Sequence, residues 1–80
     1  MNRQEIIAQL SGIVEDVFDL DEFEYADTVN ATDIEEWDSL SNIRFMVAVE
    51  KQFGVRFSNG EIEGLENVGA LVALVENKLG

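Results

Sequence analysis

Apolar residues recur near the N-terminus as Ile6, Ile7, Leu10, Ile13, Val14 and Val17, with Phe18 beside them. This is the i, i+3, i+4, i+7 spacing of one helix face. Asn2, followed three residues later by Glu5, resembles a capping box at the start of that helix. The period is then lost over "DLDEFEYADTVNATDIEEWD", residues 19 to 38. Leu20, Phe23, Val29, Ile34 and Trp37 are spread through this stretch as apolar anchors. It reads as an ordered loop pinned to a core, with one short helical turn from Thr32. Loops of this length in small domains usually have a function or a turn of their own.

A helical pattern returns from about Ser39 to Phe53. Asp38 can accept backbone N–H bonds at its start, and Gly54 can end it as the residue after the last turn. Ser58 with Glu61 suggests a short third helix through a second capping box. Gly60 and Gly64 weigh against it, because glycine is a poor helix former. The competing reading is a hairpin turn at Asn59–Gly60 between "VRF" and "EIE". Each flank offers only three strand-like residues, so the short helix is preferred. The last helix starts near Asn67 and is expected to bury Val68, Leu71, Val72, Val75 and Leu79. The expected fold is all-α, in one domain over residues 1–80. It is a small antiparallel bundle of three main helices and one short helix, with a long loop between helices one and two.

The second helix carries more apolar surface than a small bundle can cover. At about 100° per residue its apolar positions span roughly 220° of the circumference, about twice what a core-facing helix needs. Phe45, Met46, Val49 and Phe53 form one group, assigned to the core. Leu40, Ile43 and Val47 form another, beside Arg44 and Lys51. The plain alternative places all seven apolar residues in the core. The functional reading makes the second group a partner-docking patch.

Composition narrows the function. Eighty residues at 46% hydrophobic make one globular domain with a thin core. No run approaches the roughly 18 apolar residues needed to cross a bilayer. "MNRQEII" lacks the layout of a signal peptide, so the expected location is the cytoplasm. With no cysteine or histidine the chain has no thiol chemistry, no Ser–His or Cys–His nucleophile and none of the usual zinc ligands. "DLDEFEYADTVN" invites a calcium-loop reading. It fails because Phe23, Glu24 and Asn30 occupy the fifth, sixth and twelfth positions, where a ligand, a glycine and a glutamate belong. The chain is expected not to be an enzyme and to hold no metal.

The net charge is −12, which repels nucleic acid and anionic lipid. Residues 19 to 38 hold nine acids and no base, whereas residues 39 to 57 hold Arg44, Lys51 and Arg56 against Glu50 alone. The acidic run is either a solvated loop or an electrostatic docking surface.

One hydroxyl then stands out. Ser39 lies where the second helix begins, beside first-turn N–H groups and the positive end of the dipole. A phosphate ester there is favoured by the backbone. Asp38 and Glu36 oppose it, and together these facts suit a phosphate held out in water. An unmodified cap residue remains the alternative on these grounds.

"DSL" at Asp38-Ser39-Leu40 resembles the attachment motif of acyl carrier proteins. "DSLSNIRFMVAVEKQFGVRF" resembles that family's second helix and following turn, and the similarity in layout covers nearly the whole chain. The resemblance implies that Ser39 carries 4′-phosphopantetheine through a phosphodiester, with Asp38 and Leu40 completing the attachment motif. It implies a phosphopantetheinyl transferase that draws the group from coenzyme A, and acyl-loading and acyl-processing enzymes as further partners. The working thiol is then brought in, which accounts for the missing cysteine. Leu40, Ile43, Arg44, Val47 and Lys51 become the docking residues, since carriers of this family dock through the second helix.

Two departures matter. Fatty-acid-synthesis carriers usually have acids two and five residues beyond the serine, where this chain has Ser41 and Arg44. "EWDSL" lacks the paired glycines often found before the serine of peptidyl carriers. The chain thus resembles a free-standing, monomeric carrier for a specialised pathway, polyketide-like or of another modified-acyl type, with no nucleic-acid partner and no membrane insertion. The alternatives are a peptidyl or aminoacyl carrier on the same fold and an unmodified acidic interaction module.

Overall fold

The computed structural model describes residues 2–80. Its elements are α1 (Arg3–Val17), α2 (Ser39–Phe53), α3 (Asn59–Glu63) and α4 (Val68–Leu79), with no strand among the described residues. This is the expected bundle, with a long loop joining α1 to α2. No helix among the described residues is long and apolar enough to cross a membrane.

Each helix begins where its cap residue stands. Asn2 Oδ1 accepts from Glu5 N–H at 2.9 Å, and Glu5 returns the bond to Asn2 N–H at 3.1 Å. Ser58 and Glu61 make the same reciprocal box on α3, so the hairpin alternative at Asn59–Gly60 is not adopted. Asn67 caps α4 through Ala70 N–H at 2.8 Å. Such caps satisfy backbone donors that the first turn leaves unpaired.

The C-terminal ends of α1 and α2 share one device. The Glu15 carbonyl accepts Leu20 N–H while its carboxylate accepts Phe23 N–H, at 2.9 Å each. The Glu50 carbonyl accepts Val55 N–H at 3.1 Å and its carboxylate accepts Phe57 N–H at 2.8 Å. Both turns need a left-handed residue. Gly54 supplies it after α2 (φ 66°), and Asp19 supplies it after α1 (φ 54°).

Ile6, Leu10, Val14 and Phe18 bury one face of α1. Phe45, Met46, Val49 and Phe53 meet it from α2, and Val68, Leu71, Val72 and Val75 from α4. α1 packs against both α2 and α4. Ile34 is buried from the loop, while Leu20, Phe23, Val29 and Trp37 pack against the core at half depth. The loop is therefore pinned as its apolar anchors suggested.

Two expectations need correction. Thr32 starts no helical turn. Asp33 N–H closes one turn onto Asn30 O at 3.0 Å and Trp37 N–H closes a second onto Ile34 O at 3.1 Å, so two separate turns stand where a helical turn was expected. Residues 31–33 form a turn instead. Leu79 is also not core, being 41% exposed. Glu76 already pairs with Arg3, the first residue of α1, which leaves the last turn of α4 beyond that helix.

The loop is latched to α4 at a second point. Val68 N–H donates to Val29 O at 2.8 Å and Gly69 N–H to Asp27 O at 3.0 Å. Two first-turn donors of α4 are thereby satisfied by the loop backbone. Arg3 braces the same corner, donating to Asp27 at 2.8 Å and to Glu76 at 3.0 Å.

Candidate functional site

The site is built at the start of α2. Asp38 is the N-cap, with extended backbone, and its Oδ1 accepts Ser41 N–H at 2.8 Å. Hydrogen bonds from Ser41, its backbone first and its hydroxyl second, hold the Asp38 carboxyl below the usual carboxylate range. Asp38 is therefore an anion at neutral pH. Ser39 is the first helical residue and is exposed. The cap is Asp38, not Ser39, so the serine hydroxyl is not spent on ending the helix.

The chain has four serines, at 11, 39, 41 and 58. Ser11 Oγ donates to the Ile7 carbonyl at 2.8 Å, Ser41 bonds to Asp38, and Ser58 Oγ accepts Glu61 N–H. Among the described residues, Ser39 is the only serine whose hydroxyl has no partner in the fold.

Trp37 fixes how the loop enters this turn. Its indole N–H donates to Asn42 Oδ1 at 2.9 Å. Its ring packs on Phe18 and Phe45 with centroids 5.2 and 5.4 Å away, and those two rings are 5.3 Å apart. An aromatic cluster thus ties the residues before Ser39 to α1 and to the buried face of α2.

A groove of about 770 Å³ opens beside the serine. Trp37, Ser39, Met46, Ile62, Leu65 and Leu71 are among the residues that line it. Met46 and Leu71 are buried and give it an apolar floor. Periodicity did not disclose this groove. α3 is five residues long, and the Ile62 and Leu65 pair is too short a series to register as a lining.

The docking candidates fall where the helical wheel put them. Leu40 and Ile43 are each 61% exposed and Val47 is 43% exposed. Arg44 and Lys51 are exposed alongside. The core group Phe45, Met46, Val49 and Phe53 lies on the opposite flank, so the all-core alternative is excluded.

Residues 4–75 match the model of the phosphopantetheine attachment site family. The chain belongs to the acyl carrier protein family. It is 34% identical over 74 residues to an acyl carrier protein of Rhodococcus erythropolis, covering 92% of this chain and 81% of that one. It is 33% identical over 75 residues to the meromycolate extension acyl carrier protein of Mycolicibacterium aurum, covering 94% and 77%. It is 33% identical over 72 residues to polyketide-8 synthase acyl carrier protein 2 of Streptomyces avermitilis, covering 90% and 83%. The protein is a phosphopantetheine-dependent carrier of acyl groups in fatty-acid or polyketide-like synthesis. Members of the family carry rather than catalyse. The first turn of α2 fits the group: an exposed hydroxyl with no partner among the described residues, a carboxylate beside it, and an apolar groove that the serine lines.

Proposed function

We propose that Ser39 is the attachment point and that the carrier serves a specialised acyl pathway in the cytoplasm as a single, monomeric domain. One observation carries the first part: among the described residues, Ser39 alone of the serines keeps an exposed hydroxyl with no partner, in the turn that Asp38 caps. A phosphopantetheinyl transferase supplies the group from coenzyme A: Ser39 Oγ loses its proton and bonds to the phosphorus that bears the pantetheine, the pyrophosphate P–O bond breaks, and adenosine 3′,5′-bisphosphate leaves. The group supplies the thiol that holds the acyl chain as a thioester. Asp38 keeps the helix start rigid and repels the phosphate into water. Leu40 completes the motif and begins the exposed flank. The groove walled by Trp37, Met46, Ile62 and Leu65 offers apolar shelter to the part of the cargo nearest the protein.

The second part rests on Ser41 and Arg44, which stand where carriers of fatty-acid synthesis usually have acids. Leu40, Ile43, Val47, Arg44 and Lys51 form the surface that the transferase and the acyl-loading and acyl-processing enzymes meet. The test is incubation with coenzyme A and a broad-range transferase, then mapping of the adduct by peptide mass spectrometry. The expected product is a single adduct on Ser39, absent in Ser39→Ala. An adduct on Ser41, or none with several transferases, would overturn the assignment.

A further inference from the structure

The charges of α2 run against those of the rest of the chain. Among the described residues, the ion pairs are Arg3 with Asp27 and Glu76, and Lys78 with Glu61. Arg3 and Lys78 thus hold them all. Arg44, Lys51 and Arg56 hold none, in a chain with 17 acids. The one acid within α2, Glu50, is turned to the backbone, where its carboxylate takes Phe57 N–H at 2.8 Å. The free charge that α2 shows to solvent is therefore positive.

Geometry places that charge among apolar side chains. Leu40, Arg44, Val47 and Lys51 follow an i, i+4, i+7, i+11 spacing, which is one narrow stripe of a helix, and Ile43 borders it. All five are exposed. Lys51 has a local reason to be there, since a cation in the last turn complements the helix dipole. Arg44 has none. It lies past the first turn, is exposed and pairs with no carboxylate among the described residues.

We infer that α2 is built to dock a protein surface that is apolar at its centre and acidic around it. This is the reverse of the basic partner that a net charge of −12 invites. The inference rests on the carrier reading only in taking α2 as the docking helix. Leu40, Ile43 and Val47 supply the apolar contact, and Arg44 and Lys51 set its sign. Carboxylates opposite them steer encounter and reject partners that present cations there. The acidic residues 19–38, which end at the α2 cap Asp38, remain available to basic partners.

The test uses apo-protein labelled for backbone-amide NMR and two synthetic amphipathic helices. The two peptides share one leucine stripe and differ only in carrying Glu or Lys elsewhere. Titrations run at about 0.15 M salt, where charges beyond roughly 8 Å are screened and the more distant acids of the loop no longer dominate. The Glu peptide is expected to move the amides of residues 40–51. The Lys peptide is expected to move only those of residues 19–38. Reversing both charges, Arg44→Glu with Lys51→Glu, should weaken the Glu peptide about tenfold, as two rim ion pairs worth a few-fold each would. Three results would overturn the inference: a Glu peptide that leaves α2 unmoved, a Lys peptide that prefers α2 in the unaltered protein, or an affinity indifferent to the reversal. Shifts in both regions that grow with protein concentration alone would name a second copy of the chain as the occupant, and would overturn it too. Because the protein is unmodified, the result is independent of whether Ser39 accepts the prosthetic group.

Discussion

The indole N–H of Trp37 donates to the side-chain oxygen of Asn42 at 2.9 Å and so closes a ring around Asp38, Ser39 and Leu40. The loop and the helix are joined across Asp38, Ser39 and Leu40, and the ring is anchored by Phe18 and Phe45. On the proposed assignment of Ser39, a transferase approaching it meets one backbone shape.

Asn42→Ala should open that ring. It leaves a half-buried indole donor without its partner, which costs about 1–3 kcal/mol when water is excluded and toward the lower end here. For a domain of this size a cost of about 1 kcal/mol lowers Tm by roughly 4–8 °C. The rate of modification by the transferase should fall more than the melt accounts for. A thermal melt with transferase kinetics on the same sample checks both. Unchanged kinetics would show that the ring serves stability alone.

Asp38 and Ser39 should separate cleanly. Asp38→Ala removes the N-cap, at about 1 kcal/mol. Ser39→Ala removes an exposed, unpartnered hydroxyl and should stay within about 0.5 kcal/mol of the parent. The Asp38 carboxyl lies below the usual range because its charged form accepts the Ser41 hydrogen bonds. Its stabilising contribution is therefore present above the ordinary carboxylate pKa and is lost as pH falls through the lowered value. Paired denaturant melts of the two variants at neutral and acid pH read this. An equal loss of stability in both would contradict the division between cap and site.

Much of this was legible in the chain, because caps and periods are local signals. Asn2–Glu5, Asp38, Gly54 and Ser58–Glu61 fixed the helix ends within a residue. The excess apolar arc of α2 separated Phe45 from Ile43 correctly. What escaped depends on tertiary placement. Leu79 fits the α4 period but outruns the helix it would pack on. Residues 30–33 close a single turn that no helix continues, and nothing in the residue types ranks those outcomes. The groove beside Ser39 is formed by four segments and has no single-segment signature.

Two glycines in helices should respond with opposite sign. A Cβ on Gly69 would lie 2.7 Å from the Asp27 Cβ and 2.9 Å from the Asp27 carbonyl oxygen, the group that accepts its own N–H. Gly69→Ala must push the loop off α4, and should cost about 1–3 kcal/mol despite the better helix propensity of alanine. Gly12, within α1, has nothing within 4 Å of such a Cβ. Gly12→Ala should gain about 0.5–1 kcal/mol. Two melts decide it, and a gain at Gly69 would show that the latch is loose.

Tyr25 should titrate late. It is the only tyrosine in the chain, so its ultraviolet signal is unambiguous. Partial burial, then its hydrogen bond to Asp27, then the charge of Asp27 push the phenol up to about 12. A group whose pKa is raised in the fold stabilises it below the unfolded value, which for tyrosine is about 10. That contribution is lost as pH rises from there through about 12. Absorbance titration of the folded protein should show the late midpoint. Tyr25→Phe should flatten the fall in stability over the same window. A midpoint near that of free tyrosine would mean that the corner of Arg3, Asp27 and Glu76 is open in solution.

The strongest contrast is between neighbours on α2 that face opposite ways. Phe45 is fully buried and touches the rings of Phe18 and Trp37. Truncating a buried phenylalanine costs about 3–5 kcal/mol. Small domains have only about 5–15 kcal/mol in total, so Phe45→Ala should leave the domain largely unfolded or barely folded. Ile43, two positions earlier, is 61% exposed. Ile43→Ala removes little buried surface and should change stability by no more than about 0.5 kcal/mol. If Ile43 anchors partner enzymes, its loss should raise their KM several-fold while leaving kcat nearly constant, the mark of a group used in binding rather than in the chemical step. The measurement is a melt of each apo-variant and partner kinetics on the phosphopantetheinylated Ile43→Ala protein. A melt lowered as far by Ile43→Ala as by Phe45→Ala would place both residues in one core and remove the docking flank. An unchanged melt with unchanged KM would show that Ile43 is exposed but unused, and would leave Leu40 and Val47 as the contact.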